Sequence, residues 1–303
     1  MFTKMIIAIL SLTLLLPLNI DASSVFDIGT TTATFLKLGI GARASALGET
    51  YVAIANDATA PHWNPAGLVQ IKKEEIMTMY NKHFQGINHG YLSYVTPINK
   101  GKSAIGISVL GLIVDDIEVR VSDTLEPDSI SKATDLAGIL SYGTEVAKYL
   151  SLGLNLKLIK SKIIDSKSDL SYTGDVGLLF KKDRLSLGAV YTNLGGKLKY
   201  KDKEEPIHQC LKAGVALSAM KNHLLLSVDV NLPNDNKAHY HSGVEISLAN
   251  LALRAGYLTG PKDIGKNFTA GFGLKLGSLF IDYAFVPYGD LGDTHQVSLG
   301  IRI

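Results

Sequence analysis

Apolar and polar residues alternate without a break along residues 148–163, KYLSLGLNLKLIKSKI. Leu150, Leu152, Leu154, Leu156 and Leu158 share one side of an extended chain, and Ser151, Gly153, Asn155 and Lys157 share the other. Wound as a helix, the same leucines would spread around the whole circumference. A period of two suits either a half-solvated antiparallel sheet or a barrel wall with lipid outside and a polar lumen inside. The pattern recurs from Glu74 onward and predicts about fourteen strands. They fall near 74–82, 88–98, 102–113, 134–145, 148–163, 170–181, 184–194, 207–219, 222–232, 240–249, 251–259, 267–276, 279–287 and 294–303. The even count is that of a bacterial barrel.

Hairpin arithmetic supports these strands. A two-residue turn at 182–183 pairs Phe180 with Leu185 and Leu178 with Leu187; one at 220–221 pairs Leu217 with Leu224 and Val215 with Leu226. A turn at 249–250 pairs Leu248 with Leu251 and Ile246 with Leu253, and one at 277–278 pairs Leu276 with Leu279 and Leu274 with Ile281. Each register sets apolar residues opposite apolar residues on one face. Short connections near 99–101, 146–147, 182–183, 220–221, 249–250 and 277–278 alternate with longer ones at 83–87, 114–133, 164–169, 195–206, 233–239, 260–266 and 288–293. A soluble sandwich has no reason to segregate its loops in this way. In an outer-membrane barrel the short turns face the periplasm.

The opposite face carries charge: Asp175, Lys212, Asp229, Glu245, Arg254, Lys275, Asp282 and Arg302. A Lys or Arg facing lipid at the midplane costs roughly 2–4 kcal/mol, so these residues are expected in the lumen as compensating pairs. Asp229, Glu245, Arg254, Lys275, Asp282 and Arg302 form the expected lumen charge network, with Glu245 across from Arg254 and Lys275 diagonal to Asp282. Tyr80, Tyr142, Tyr149, Tyr172, Tyr257 and Tyr288 fit interfacial girdles.

The first part of the chain reads differently. Residues 1–22 have the plan of an export signal, with Lys4, an apolar core at 5–16 and small residues at Ala22, Ser23 and Ser24; cleavage is expected after Ala22. The apolar core is short of a full span, which argues against a membrane anchor. Residues 23–73 are rich in Ala, Gly and Thr, and 56–68, NDATAPHWNPAGL, is turn-rich with the single Trp. The expected division is therefore a leader over 1–22, a small N-terminal unit over 23–73 and a barrel over 74–303. A charged fraction of 19% suits a barrel that shows Leu and Val to lipid, and a net charge of +2 points away from nucleic acid. The single Cys210 permits no intrachain disulfide.

Candidate chemistry is thin. Residues 39–44, GIGARA, match a G-x-G-x-x-A dinucleotide string, but no parallel strand follows and the packing of small residues is preferred. His239 and His241 share a strand face without a third ligand nearby, and Asp115, Asp116 and 234–236 lack the spacing of a calcium loop. No enzyme, metal or cofactor is indicated.

The segment 48–68, GETYVAIANDATAPHWNPAGL, with LGIGARASALG before it, resembles the N-terminal signature of the PorV/PorQ family, relatives of the FadL-type long-chain fatty acid transporters. The resemblance continues to QVSLGIRI at the end. It implies an all-β transmembrane antiparallel barrel of about fourteen strands with an N-terminal hatch, or plug. Asn56, Asp57, Asn64, Pro65, Ala66 and Gly67 match the hatch motif, where Asn and Asp close turns, Pro65 stiffens one and Gly67 relieves it. Two functions follow from the resemblance: a scaffold handling exported proteins for a type IX-like secretion system, or a transporter of small hydrophobic compounds such as long-chain fatty acids. Leu225, Leu258 and Phe280, apolar on lumen-side positions, favour a hydrophobic ligand; the motif match favours secretion partners. Outer-membrane lipid is the expected surrounding in both.

Overall fold

The computed structural model describes residues 29–84, 86–123, 125–164, 166–201, 203–259 and 267–303. The expected leader, 1–22, and the whole of the expected loop at 260–266 lie outside the described residues.

Fourteen strands close into one antiparallel ring. They are β1 (Glu75–Lys82), β2 (Ile87–Ile98), β3 (Ser103–Val119), β4 (Ser129–Ala147), β5 (Leu150–Ile163), β6 (Ser171–Lys182) and β7 (Leu185–Leu194). The ring continues with β8 (Cys210–Ala219), β9 (Leu224–Pro233), β10 (His239–Leu248), β11 (Leu251–Leu258), β12 (Phe268–Leu276), β13 (Leu279–Pro287) and β14 (Asp293–Arg302). Each strand pairs with its neighbours in sequence, and Glu75 of β1 meets Arg302 of β14 to shut the ring. Closure leaves no unpaired strand edge, the condition for a sheet to sit in hydrocarbon. No described helix is long and apolar enough to cross a membrane.

The alternation read in residues 148–163 sorts inside from outside. Asn155 is 7% exposed and Leu156, its neighbour, 52%. Ile76, Leu92, Ile107, Leu140, Leu178, Leu253 and Leu299 are exposed in the same way, which makes the outer wall a lipid-facing band. Tyr80, Tyr142, Tyr149, Tyr172 and Tyr257 are exposed, whereas Tyr288 is turned among the loops against His83 and Phe84, at ring separations of 5.7 and 5.5 Å. Tyr288 is no girdle residue.

Two hairpins keep the expected register, with Glu245 opposite Arg254 and Leu274 opposite Ile281. Two are offset by two residues: Leu178 faces Ala189, and Leu217 faces Leu226. The connection after β8 is a four-residue turn in which Met220, Lys221 and Asn222 all have positive φ, and Asp183 at φ 53° turns β6 into β7 one residue later than expected. A shift of two preserves which side chain faces out, so the alternation survives. The expected long loop at 114–133 is mostly strand, because β3 and β4 run on past the wall across a bulge between Val114 and Ile117. The connection at 195–206 holds a small hairpin, Lys197–Tyr200 with Lys203–Pro206.

Candidate functional site

Residues 29–71 bond to the inward faces of strands around the whole ring, which places them within it. Ala42 N donates to Ser298 Oγ (2.8 Å) on β14, Gly48 N to Thr269 Oγ1 (3.1 Å) on β12, and Val52 N to Asp229 Oδ2 (2.9 Å) on β9. Asn64 Nδ2 donates to the Leu178 carbonyl (3.0 Å) on β6, Asn155 Nδ2 of β5 to the Pro61 carbonyl (2.6 Å), and Tyr91 Oη of β2 to the Ala58 carbonyl (3.1 Å). Short helical pieces, α1 (Ala42–Ala46) and α2 (Ala60–Trp63), make up part of the segment. Trp63, Tyr51, Leu47 and Leu68 are among its fully buried side chains.

The wall makes room for this backbone with glycine. A Cβ on Gly153 of β5 would collide with the peptide joining Pro65 to Ala66, and one on Gly256 of β11 with that joining Leu47 to Gly48. Strand glycines of this kind mark close approach of another backbone.

The six motif residues hold the turns of the segment. Asn64 caps the 3₁₀ stretch Pro65–Gln70, its Oδ1 accepting from Ala66 N (3.1 Å) while Nδ2 reaches the Val52 carbonyl (2.9 Å). Pro65 opens that stretch, and Gly67 lies where a Cβ would strike the Ala55 carbonyl. Asp57 accepts from Thr59 N and Thr59 Oγ1 (3.0 and 2.5 Å) and from the Tyr51 hydroxyl. Asn56 Oδ1 accepts from Arg43 Nη1 at 2.7 Å.

Of the charges expected in the lumen, Glu245, Arg254 and Asp282 form a chain. Arg254 Nε donates to Glu245 Oε2 (2.6 Å) and Nη1 to Asp282 Oδ1 (2.6 Å). Arg43, from the N-terminal segment, completes it with a two-pronged grip on Glu245: Nε to Oε2 at 2.8 Å and Nη2 to Oε1 at 2.9 Å. The other three stand apart. Arg302 pairs with Glu75 (2.7 Å), which in turn accepts from Ala58 N; Asp229 holds Val52; Lys275 is exposed at the rim without an ion pair among the described residues. Asp175 pairs instead with Lys157 at 2.8 Å. Arg43, Glu75 and Lys157 carried no expectation as partners. The pattern that finds a strand face says nothing about which residue of an irregular segment will meet it.

His241 is likewise a fastener: Nδ1 donates to the Gly48 carbonyl (2.7 Å) and Nε2 accepts from Asn231 Nδ2 (2.9 Å). His239 Nδ1 donates to the Thr259 carbonyl at 3.1 Å. The GIGARA string packs against the wall, with Gly41 N donating to Met79 Sδ at 3.1 Å. No three His, Cys, Asp or Glu side chains gather as a cation site among the described residues.

Two cavities among the described residues share no lining residue. One, of about 700 Å³, opens at the short-turn rim and is lined by Arg43, Asp57, Lys73, Arg254, Lys275 and Arg302, among others. The other, of about 220 Å³, lies toward the long loops and is lined by Glu49, His62, Lys212, Asn231, His241 and Leu258, among others. Burial and the nearby Lys212 hold His62 well below the usual imidazole range, so it is neutral, and burial raises the Glu49 carboxyl. Leu225 and Phe280 are packed against the buried core of the N-terminal segment.

A closed barrel with a lipid-facing band, a charged interior and loops sorted by length is a barrel of the outer-membrane class. Its fold is similar to that of the toluene transporter TbuX of Ralstonia pickettii, with a TM-score of 0.64 and 14% identity over 88% of this chain and 98% of that one. It is similar also to a FadL homologue of Pseudomonas aeruginosa, with a TM-score of 0.59 and 12% identity over 86% and 98% of the two chains. The profile of the type IX secretion system protein PorV matches residues 22–231, and the chain belongs to that family. A UPF0164 protein of Treponema pallidum (strain Nichols) is 28% identical over 179 residues, 54% of this chain; the match covers 44% of that protein's length. The family is that of a secretion system protein, and the similar solved structures, at 12–14% identity, show the fold alone.

Proposed function

We propose that the protein serves secretion as a filled barrel of the outer membrane, a scaffold that holds or hands over exported proteins rather than a conduit for solutes. The observation carrying this reading is the use of the interior. Residues 29–71 bond to strands around the ring, Leu225 and Phe280 are spent on packing against them, and two cavities beside them are separate and lined largely by charged and polar residues. On this reading residues 23–73 are a hatch, fixed by Asn56, Asp57, Asn64, Pro65, Ala66 and Gly67, with Arg43 and Glu245 as its main ionic tie to the wall. Membership in the PorV family supports the secretion role.

The transport reading keeps one observation of its own. Leu36 and Leu258 both line the long-loop cavity among polar groups, in a fold similar to that of a toluene transporter. Native mass spectrometry after mild extraction separates the two. A scaffold predicts an exported protein bound in defined stoichiometry and no apolar small molecule; a transporter predicts a long-chain apolar ligand. Finding that ligand in the intact protein, with no protein partner, would sink the scaffold.

A further inference from the structure

The long-loop cavity holds two opposite charges that do not meet. Lys212, on β8, lies with its Nζ 5.2 Å from the centroid of the Trp63 ring. Glu49 stands on backbone at φ 64°, the left-handed region that non-glycine residues rarely occupy, and its carboxylate lies over Gly39. Both line the cavity, and neither has an ion-pair partner among the described residues. The other charges there are matched: Lys37 with Asp235 at 2.5 Å and Lys157 with Asp175 at 2.8 Å. A third group is left over as well. Asn231, 9% exposed and lining the same cavity, donates through Nδ2 to His241, while its buried Oδ1 has no partner.

We infer that this cavity is a binding site for a small zwitterion of the amino-acid class, its ammonium on Glu49 and its carboxylate on Lys212. Lys212 favours the Glu49 carboxylate from across the cavity without touching it, so an isolated cation or anion would contact one charge and weaken its hold on the other. A zwitterion satisfies both, and its ammonium has a further acceptor in Asn231 Oδ1. The neutral imidazole of His62, set edge-on against Trp63 at 5.0 Å, adds no charge to the balance. At about 220 Å³ the space is below the ~300–1,000 Å³ of drug-sized sites and suits a molecule of few atoms. The cavity lies on the side of the long loops, which in this class of barrel face outward, so the ligand would come from outside the cell. This inference is independent of the secretion reading.

Trp63 is the single tryptophan of the chain, and Lys212 lies against it, so its fluorescence reports the site directly. The experiment titrates the intact protein in detergent with glycine, L-alanine, L-serine and L-leucine, and with propionate and ethylamine as the two halves. At least one amino acid is expected to change Trp63 emission saturably, with each half binding about tenfold weaker or worse. Lys212→Met and Glu49→Gln, checked for folding by the gel shift of a closed barrel, are each expected to weaken that response by a similar factor. The inference is overturned if no amino acid moves the emission. It is overturned equally if propionate alone matches the best amino acid, or if folded variants respond like the parent.

Discussion

Replacing Glu245 by Leu removes the acceptor of three charge-assisted hydrogen bonds, two from Arg43 and one from Arg254. Taken singly, bonds to charged groups contribute ~1.5–3 kcal/mol each, but they are not additive here. Both cations keep other partners: Arg254 retains Asp282 at 2.6 Å, and Arg43 retains Asn56 at 2.7 Å with Asp57 at 3.7 Å. The better guide is the cost of removing one member of a buried pair, ~3–5 kcal/mol. Thermal or denaturant unfolding in detergent measures it. A double-mutant cycle with Arg43→Met is expected to show coupling toward the upper part of the ~0.5–3 kcal/mol range for contacting residues. Exchange of Glu245 and Arg254 is expected to recover only part of the loss, because the arginine then at 245 faces Arg43. Additivity of the 43 and 245 changes within ~0.5 kcal/mol would refute the ionic tie between segment and wall.

Gly153→Ala is expected to push the turn at Pro65 and Ala66 off the wall, costing about 1–3 kcal/mol or more by overpacking, whereas Gly138→Ala, with open space at its Cβ, should be neutral; unfolding midpoints compare the two. The pH dependence of the long-loop rim should follow His208, whose imidazole burial, with Lys37 nearby, lowers to about 4, and whose Nδ1 is 3.0 Å from Asp235. Between about 4 and 6.5 the unfolded chain binds the extra proton, so stability falls as pH is lowered through that window; His208→Gln should flatten the slope in pH-dependent unfolding.

Strand faces were legible because lipid outside and charge inside impose a strict period of two, which even a register error of two residues leaves intact. The hairpins at 249–250 and 277–278 have two-residue turns where the pairing of apolar residues sets them; the turn after β6 is also of two residues but falls one residue later, and that at 220–223 is longer, with a run of positive φ at Met220, Lys221 and Asn222 that has no composition cue. The extension of β3 and β4 beyond the wall is not legible in the sequence, because the bulge between Val114 and Ile117, at Asp115 and Asp116, breaks the period of two. In the lumen, Glu245 opposite Arg254 followed from register alone. Lys275 was expected to meet Asp282, but Arg254 reaches that carboxylate first and leaves Lys275 at the rim. Asp229 serves a backbone amide, not a cation. The second outcome depends on the path of the N-terminal segment, which no periodicity records.

Planar-bilayer conductance of the intact protein against a variant lacking residues 25–71 tests the filled barrel most directly. The ring's hydrogen bonds close without that segment, and Glu245, Arg254 and Asp282 still pair with one another, so the variant should assemble and retain its heat-dependent gel shift. The account predicts a closed intact protein and a variant with clearly higher single-channel conductance. A variant that assembles yet conducts no better than the intact barrel would contradict it.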